Sequence, residues 1–364
     1  MAAGLDNRGL RVSVIGAGYF SQFHVEAWAG LDEVAEVALC DRDAARAQAL
    51  AARFGVKAVF TDAERMLDDF APGLVDIVTP PGTHLALVQL ACKKRLPIVC
   101  QKALAPTLAE AEQIVACAER ANLPLIVHEN FRFSPWYREA KRLIDEGMLG
   151  QLHSVSFRLR PGDGQGPAAY LERQPYFQNM PRFMVYETAI HFIDTFRYLM
   201  GEVAAVTARL RRINPVIKGE DAAYIIFEFA QGATGLYDGN RLNDHASDNP
   251  RRTMGEMWLE GAAGVLRLDG QARLWWKPHH GDELEHAYDK GPATFAGGAV
   301  MNLNRHVARF LRGEEKAENT GREYLQNIRI QDAVYRSHDT GMRVELNSSG
   351  ADERSAPSLK AVAV

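Results

Sequence analysis

The stretch from Arg11 to Asp41 constrains the fold more than any other. Val12, Val14 and Ile15 alternate with Ser13 as a short buried strand, and Gly16-Ala17-Gly18-Tyr19-Phe20-Ser21 follows at once. A helical apolar pattern then begins (Phe20, Phe23, His24, Ala27, Trp28), and a second strand, Val34 to Cys40, ends at Asp41. This order of strand, glycine turn, helix, strand and acid is that of a dinucleotide cradle. Gly16 permits a tight turn. Gly18, lacking a Cβ, lets a pyrophosphate approach the first helical N–H groups, which Tyr19 and Phe20 introduce, where the helix dipole favours an anion. Asp41 stands about 20 residues beyond the turn, where a carboxylate accepts from ribose hydroxyls. Ser21 replaces the third glycine of the fingerprint and is small enough for close helix–strand packing. Asp41 favours NAD over NADP, whereas the Arg42 guanidinium next to it would suit a 2′-phosphate.

Strands and helices keep alternating up to His128, which predicts a parallel sheet wound on both faces, with ligands at the carboxyl ends of its strands. Asp41, Thr79, Gln101, Lys102 and His128 all fall at such ends. Beyond His128 the pattern changes. A helix is expected over 133–147, a two-faced strand over 152–160, a helix over 184–200, several long strands over 204–276, and late helices over 301–311 and 324–338. The expected fold is α/β: a Rossmann domain over 1–128 and an α+β domain with an open, mainly antiparallel sheet over 129–347. Residues 348–364 read as a loose tail.

Composition limits the function classes. With 364 residues, a net charge of −4 and 24% charged side chains, the chain offers no basic field for nucleic acid or a membrane surface. Met1 to Gly9 is too short and polar for a signal peptide. The four cysteines form no C-x-x-C pair, which suits a reducing, cytoplasmic setting.

Two further features carry chemistry. Glu187, His191 and Asp194 stand at i, i+4 and i+7, on one face of an otherwise apolar helix. Such a face can present His191 as a proton acceptor with Glu187 one turn away to orient it. An ion-paired stripe or a metal half-site would use the same spacing. Lys102, just past the strand ending at Cys100, is placed to donate to a substrate hydroxyl and to the nicotinamide ribose.

Gly16-Ala17-Gly18, Thr79-Pro80-Pro81 with His84, Gln101-Lys102-Ala103, Asn130-Phe131-Arg132-Phe133 and Glu187-x-x-x-His191-x-x-Asp194 occur in this order. Together they resemble the glucose-fructose oxidoreductase / inositol dehydrogenase (Gfo/Idh/MocA) family over about residues 10–345. Within it, the segments 128–133, 158–164 and 174–177 are similar to D-apiose dehydrogenase-type pentose dehydrogenases. The resemblance implies oxidation of a secondary alcohol of a sugar or polyol with NAD, in a homodimer or homotetramer assembled through the open sheet. It implies Lys102, His191 and Glu187 as catalytic residues and no metal. Gly16, Gly18, Tyr19, Phe20, Asp41, Arg42, Thr79, Pro80, His84, Gln101, Lys102 and Asn130 would hold the cofactor. Arg160, Asp163, Tyr176, Arg182 and Asp194 would hold the substrate. A lyase or isomerase using transient oxidation, and a non-catalytic NAD sensor, are the rival readings. The family's usual Glu-Lys-Pro appears here as Gln101-Lys102-Ala103, and its helical Asp as Glu187; both changes bear on the proton relay rather than the reaction class.

Overall fold

The computed structural model describes residues 9–346; the expected loose tail and the first eight residues lie outside it. The first half alternates β1 (Leu10–Ile15), α1 (Ser21–Ala29), β2 (Val34–Cys40), α2 (Ala44–Phe54), β3 (Ala58–Phe60), α3 (Ala63–Phe70), β4 (Leu74–Ile77), α4 (His84–Lys93), β5 (Ile98–Gln101), α5 (Leu108–Arg120) and β6 (Leu125–His128). The strands are nearly continuous apolar runs because helices cover both faces of the sheet. They pair in parallel in the order β3-β2-β1-β4-β5-β6. The order reverses between β1 and β4, and the crevice at their carboxyl ends is where such a sheet takes its ligand.

The second half contains α6 (Pro135–Asp145), β7 (Leu152–Leu159), α7 (Ile190–Met200), β8 (Val203–Arg211), β9 (Ala222–Phe229) and β10 (Thr234–Asn240). There follow α8 (Pro250–Thr253), β11 (Gly255–Gly261), β12 (Gly264–Leu268), β13 (Leu274–Pro278), β14 (Leu284–His286), α9 (Ala299–Leu311), α10 (Gly321–Thr340) and β15 (Val344–Glu345). Its nine strands run β14-β13-β12-β11-β7-β10-β9-β8-β15, antiparallel except for β7 beside β10. One face is sealed by α7: Phe192 lies 4.0 Å from Phe157 and 5.4 Å from Tyr237, and Phe196 5.6 Å from Phe227. The opposite face leaves Tyr224, Ile226 and Leu236 in solvent, with Leu236 paired directly to Ile226.

The late helices return to the first sheet. Helix α9 packs on α1, and Asn319 accepts the N–H of Val127 on the last strand (2.8 Å). The expected single α-helix over 184–200 is a π-type turn, Val185–Ala189, followed by α7. The buried Glu220 carboxylate takes the N–H groups of Phe183 and Val185 (3.2 and 3.1 Å), which sets how the chain enters that turn. No helix among the described residues is long and apolar enough to cross a membrane.

Candidate active site

The glycine turn is built as its residues require. Gly16 has φ +115°, its N–H donates to Cys40 (2.7 Å), and a Cβ there would lie 2.5 Å from the Val78 carbonyl. Any other residue would push β1 away from β4. At Gly18 a Cβ would meet nothing within 4 Å, so the approach to the start of α1 is open. No side chain caps that helix; its Ser21 and Phe23 N–H groups turn back to the Gly18 and Phe20 carbonyls (3.2 and 3.1 Å), and the positive end of the helix dipole faces the open space over Gly18. Asp41 accepts the N–H groups of Ala17 (2.7 Å) and Asp43 (2.9 Å), tying the acid to the turn. Each carboxylate oxygen keeps lone-pair capacity for ribose hydroxyls. Arg42 is exposed beside it. Tyr19 and Phe20 meet the second half of the chain: Arg251 donates to the Tyr19 hydroxyl (3.3 Å), and Phe20 lies 6.1 Å from Phe295.

At the neighbouring strand ends, the two ring nitrogens of His84 face the Thr79 and Leu104 carbonyls (2.8 and 2.9 Å). His84 is fully buried, and burial holds its imidazole below the ordinary histidine range. His84 thus sits between the Thr79-Pro80 loop and the loop after Lys102, with its ring facing the backbone of both. Asn130 is buried with its side-chain nitrogen unpartnered, an unspent donor in the loop after β6. Open space over Gly18, a fixed Asp41 and that donor fit a dinucleotide.

The catalytic candidates come together, but not in the expected pairs. The Lys102 ammonium donates to the Glu187 carboxylate (2.6 Å) and to the Glu187 main-chain carbonyl (2.9 Å). Glu187 is thus the partner of Lys102 and not of His191. His191 is oriented instead by Glu129, which bonds Nδ1. Glu129 is fully buried and is itself held by the Tyr324 hydroxyl (3.4 Å), while Asn319 donates to its carbonyl (2.6 Å). The His191 ring stacks on Phe131 at 4.0 Å. Among the described residues Nε2 carries no hydrogen bond, so an anchored imidazole presents one free basic nitrogen. Glu129 went unselected in the sequence, although an acid directly after a strand end is the signal that selects Asp41.

Most expected substrate contacts are used up inside the protein. Asp194 is 1% exposed and accepts two bonds from Arg132 (2.7 and 2.6 Å) and one from Asn327 (2.7 Å). Arg160 holds both oxygens of Asp238 at 2.8 Å. Asp163 binds Arg241 (2.6 Å) and Arg173 (2.9 Å), and the three fasten the 162–179 loop to the sheet. Arg182 lies on the surface against Asp332 (3.2 Å). The sequence reading took these four charges as free for substrate, and in the structure each has an internal ion-pair partner brought from a distant part of the chain or, for Asp163, also from its own loop. Tyr176 alone remains as a substrate candidate. It is half exposed, its hydroxyl accepts from the Gln174 amide (3.0 Å), and burial of part of the ring, followed by the charge of Glu187, pushes its phenol up to about 12. Among the described residues no three His, Cys, Asp or Glu side chains converge as metal ligands.

Residues 10–129 match the family described as oxidoreductase with an NAD-binding Rossmann fold, and residues 137–267 match the GFO/IDH/MocA C-terminal domain. The chain is 34% identical to D-apiose dehydrogenase of Paraburkholderia graminis over 360 residues, covering 97% of this chain and 94% of that one. It is 29% identical to D-apiose dehydrogenase of Rhizobium rhizogenes, with 93% and 98% covered. An oxidoreductase from Agrobacterium radiobacter, solved in complex with NAD+, L-tartaric acid and magnesium, superposes with a TM-score of 0.84 at 29% identity, over 92% of this chain and 98% of that one.

Proposed function

This chain belongs to the GFO/IDH/MocA oxidoreductase family, and from that premise we propose that it oxidises a carbon bearing a hydroxyl in a pentose such as apiose. The oxidised carbon is a secondary alcohol or hemiacetal, and the hydride passes to NAD. NAD, when bound, supplies the nicotinamide C4 that accepts the hydride. Gly16 makes the tight turn, Gly18 leaves room for its pyrophosphate, and Asp41 takes the ribose hydroxyls. His191 Nε2 accepts the hydroxyl proton, while Glu129 fixes the ring and stabilises the imidazolium that forms. Lys102, held in place by Glu187, donates to the same substrate oxygen, and Tyr176 contributes a further donor. The observation that carries this reading is the free Nε2 of a His191 anchored through Nδ1 by a buried carboxylate. A panel of aldoses, cyclitols and sugar acids with NAD+, followed by NADH absorbance, tests it. Net NADH with a pentose is expected. Product without NADH would favour transient oxidation, and cofactor binding without any product would favour a sensor.

Asp41 sets the cofactor choice. A carboxylate there repels a 2′-phosphate, so NAD should exceed NADP by about tenfold or more in kcat/KM, roughly 1.4 kcal/mol. Asp41→Ala should narrow that ratio, because Arg42 remains. It should also raise KM for NAD, because the Ala17 N–H loses its partner. A native preference for NADP in steady-state kinetics would refute this role.

The exposed Tyr224, Ile226 and Leu236 form one apolar strip on the open sheet. A second copy of the chain would cover it in a homodimer or homotetramer. Light scattering at micromolar concentration should show a multimer, and Ile226→Lys should release monomers. A monodisperse native monomer would rule the interface out. The four cysteines, all free thiols, suit the reducing cytoplasm.

A further inference from the structure

Beneath Lys102 runs a buried polar chain that the proposed reaction does not use. Asp76 on β4, His24 on α1 and Gln101 on β5 are 0%, 0% and 8% exposed. His24 Nδ1 lies 2.7 Å from Asp76 Oδ2, and the Trp28 indole N–H donates to that same oxygen (2.6 Å). His24 Nε2 lies 2.8 Å from the Gln101 amide nitrogen. The Gln101 amide oxygen accepts the main-chain N–H of Lys102 (2.6 Å).

The hydrogen-bond inventory fixes every proton in this chain. A main-chain N–H can only donate, so the amide atom facing Lys102 is the oxygen. The amide nitrogen, which also only donates, is therefore the atom facing His24. His24 Nε2 must then be a bare acceptor, and its single proton sits on Nδ1 and goes to Asp76. Flipping the amide would set two donors against each other at Lys102. A glutamate at 101, the residue that the family resemblance leads one to expect, has no proton to give Nε2.

We propose that Asp76, His24 and Gln101 act as positioning residues for Lys102: a neutral His24, held as the Nδ1–H tautomer, locks the end of β5, and this chain carries Gln101 rather than glutamate because His24 is neutral. The inference rests on the reading of Lys102 as a substrate-facing group. The groups packed around His24 agree with it. The His128 ring of β6 stacks on His24 at 3.9 Å, and burial pushes it down to about 3, so it stays neutral. Cys100 of β5 is held well above the ordinary thiol range by burial and then by Asp76. Burial opposes the charge on Asp76, and the hydrogen bonds that its Oδ2 accepts from His24 Nδ1 and the Trp28 indole N–H favour it. Asp76 is thus the one charge in contact with His24, and Lys102 stands beyond Gln101.

Gln101→Glu would place a second carboxylate against His24, and the ring should take up a proton to lie between two acids. Its raised pKa then gives the variant a pH dependence that the native chain lacks. A raised histidine stabilises below its folded pKa, and that support is lost as pH rises through it. The variant should therefore lose turnover and thermal stability with rising pH, by about tenfold in kcat once His24 is neutral, through misplacement of Lys102. KM for the sugar should change little, and the native enzyme should show no such limb.

The deciding experiment is 15N NMR of the full chain labelled in histidine, with the His24 signal identified by its loss in His24→Asn. The native signal should show a protonated Nδ1 and a bare Nε2, unchanged between about pH 6 and 9. In Gln101→Glu it should become an imidazolium at neutral pH. A native His24 that is an imidazolium, or that carries its proton on Nε2, overturns the proposal. So does a Gln101→Glu variant with the native His24 signal. If that variant does not fold, the native signal still decides. Native turnover in Lys102→Met would sink the catalytic reading of Lys102 alone, since the tautomer is read without activity.

Discussion

An asparagine at position 191 should lower kcat by about a hundredfold or more, the usual scale for losing a general base. NAD affinity and the melting temperature should stay near native. Asparagine can still donate from its amide to Glu129, so the buried carboxylate keeps a partner, but nothing remains to take the substrate proton. Glu129→Gln should also reduce kcat, by less, since the ring stays in place against Phe131 and loses only the charge that stabilises its protonated form. Lys102→Met should cost as much as His191→Asn, and should leave Glu187 without its cation. The double variant should be little worse than the worse single one, because groups acting on one proton transfer are not additive. Steady-state NADH production on a verified sugar measures all four variants. Near-native turnover in His191→Asn would remove the imidazole from the mechanism.

The fold was legible where its signals are local. Strand Val34–Cys40 occupies the residues that apolar periodicity assigns to it, and the alternation of strands and helices runs up to His128 as expected. The glycine turn and Asp41 belong to one unit of about thirty residues, so one stretch of sequence specifies them together. The strand ends that carry Lys102 and the helix that carries His191 were legible for the same reason. Pairing was not. Helical spacing puts Glu187, His191 and Asp194 on one face, but it does not say what stands opposite. What stands opposite is the loop after β6, which runs beside α7 with a constant offset of 62 residues: Glu129 meets His191 and Arg132 meets Asp194. That offset depends on how α6, β7 and the 162–179 loop return the chain, and no local pattern encodes it. The π-turn at Val185–Ala189 escaped for a similar reason, because the carboxylate that sets it, Glu220, comes from the approach to β9.

Asp194→Ala separates a structural acid from a substrate-binding one. In the sequence Asp194 looks available, three residues past His191. In the structure both its oxygens are filled, one by Arg132 and the other by Arg132 and Asn327. Burial works against the charge on Arg132, and Asp194 outweighs it and keeps the guanidinium firmly protonated. Removing the carboxylate would leave that cation no bidentate partner, with Glu318 at 3.9 Å and the charge of Glu129 behind it. Breaking a buried pair from one side costs about 3–5 kcal/mol, which should lower the melting temperature by roughly 5–15 °C. Replacing both partners, as in Arg132→Met with Asp194→Leu, should recover much of the loss, because no charge is left buried alone. KM for the sugar should change little wherever Asp194→Ala remains folded. A melting temperature near native together with a KM raised tenfold or more would reverse the assignment and return Asp194 to the substrate.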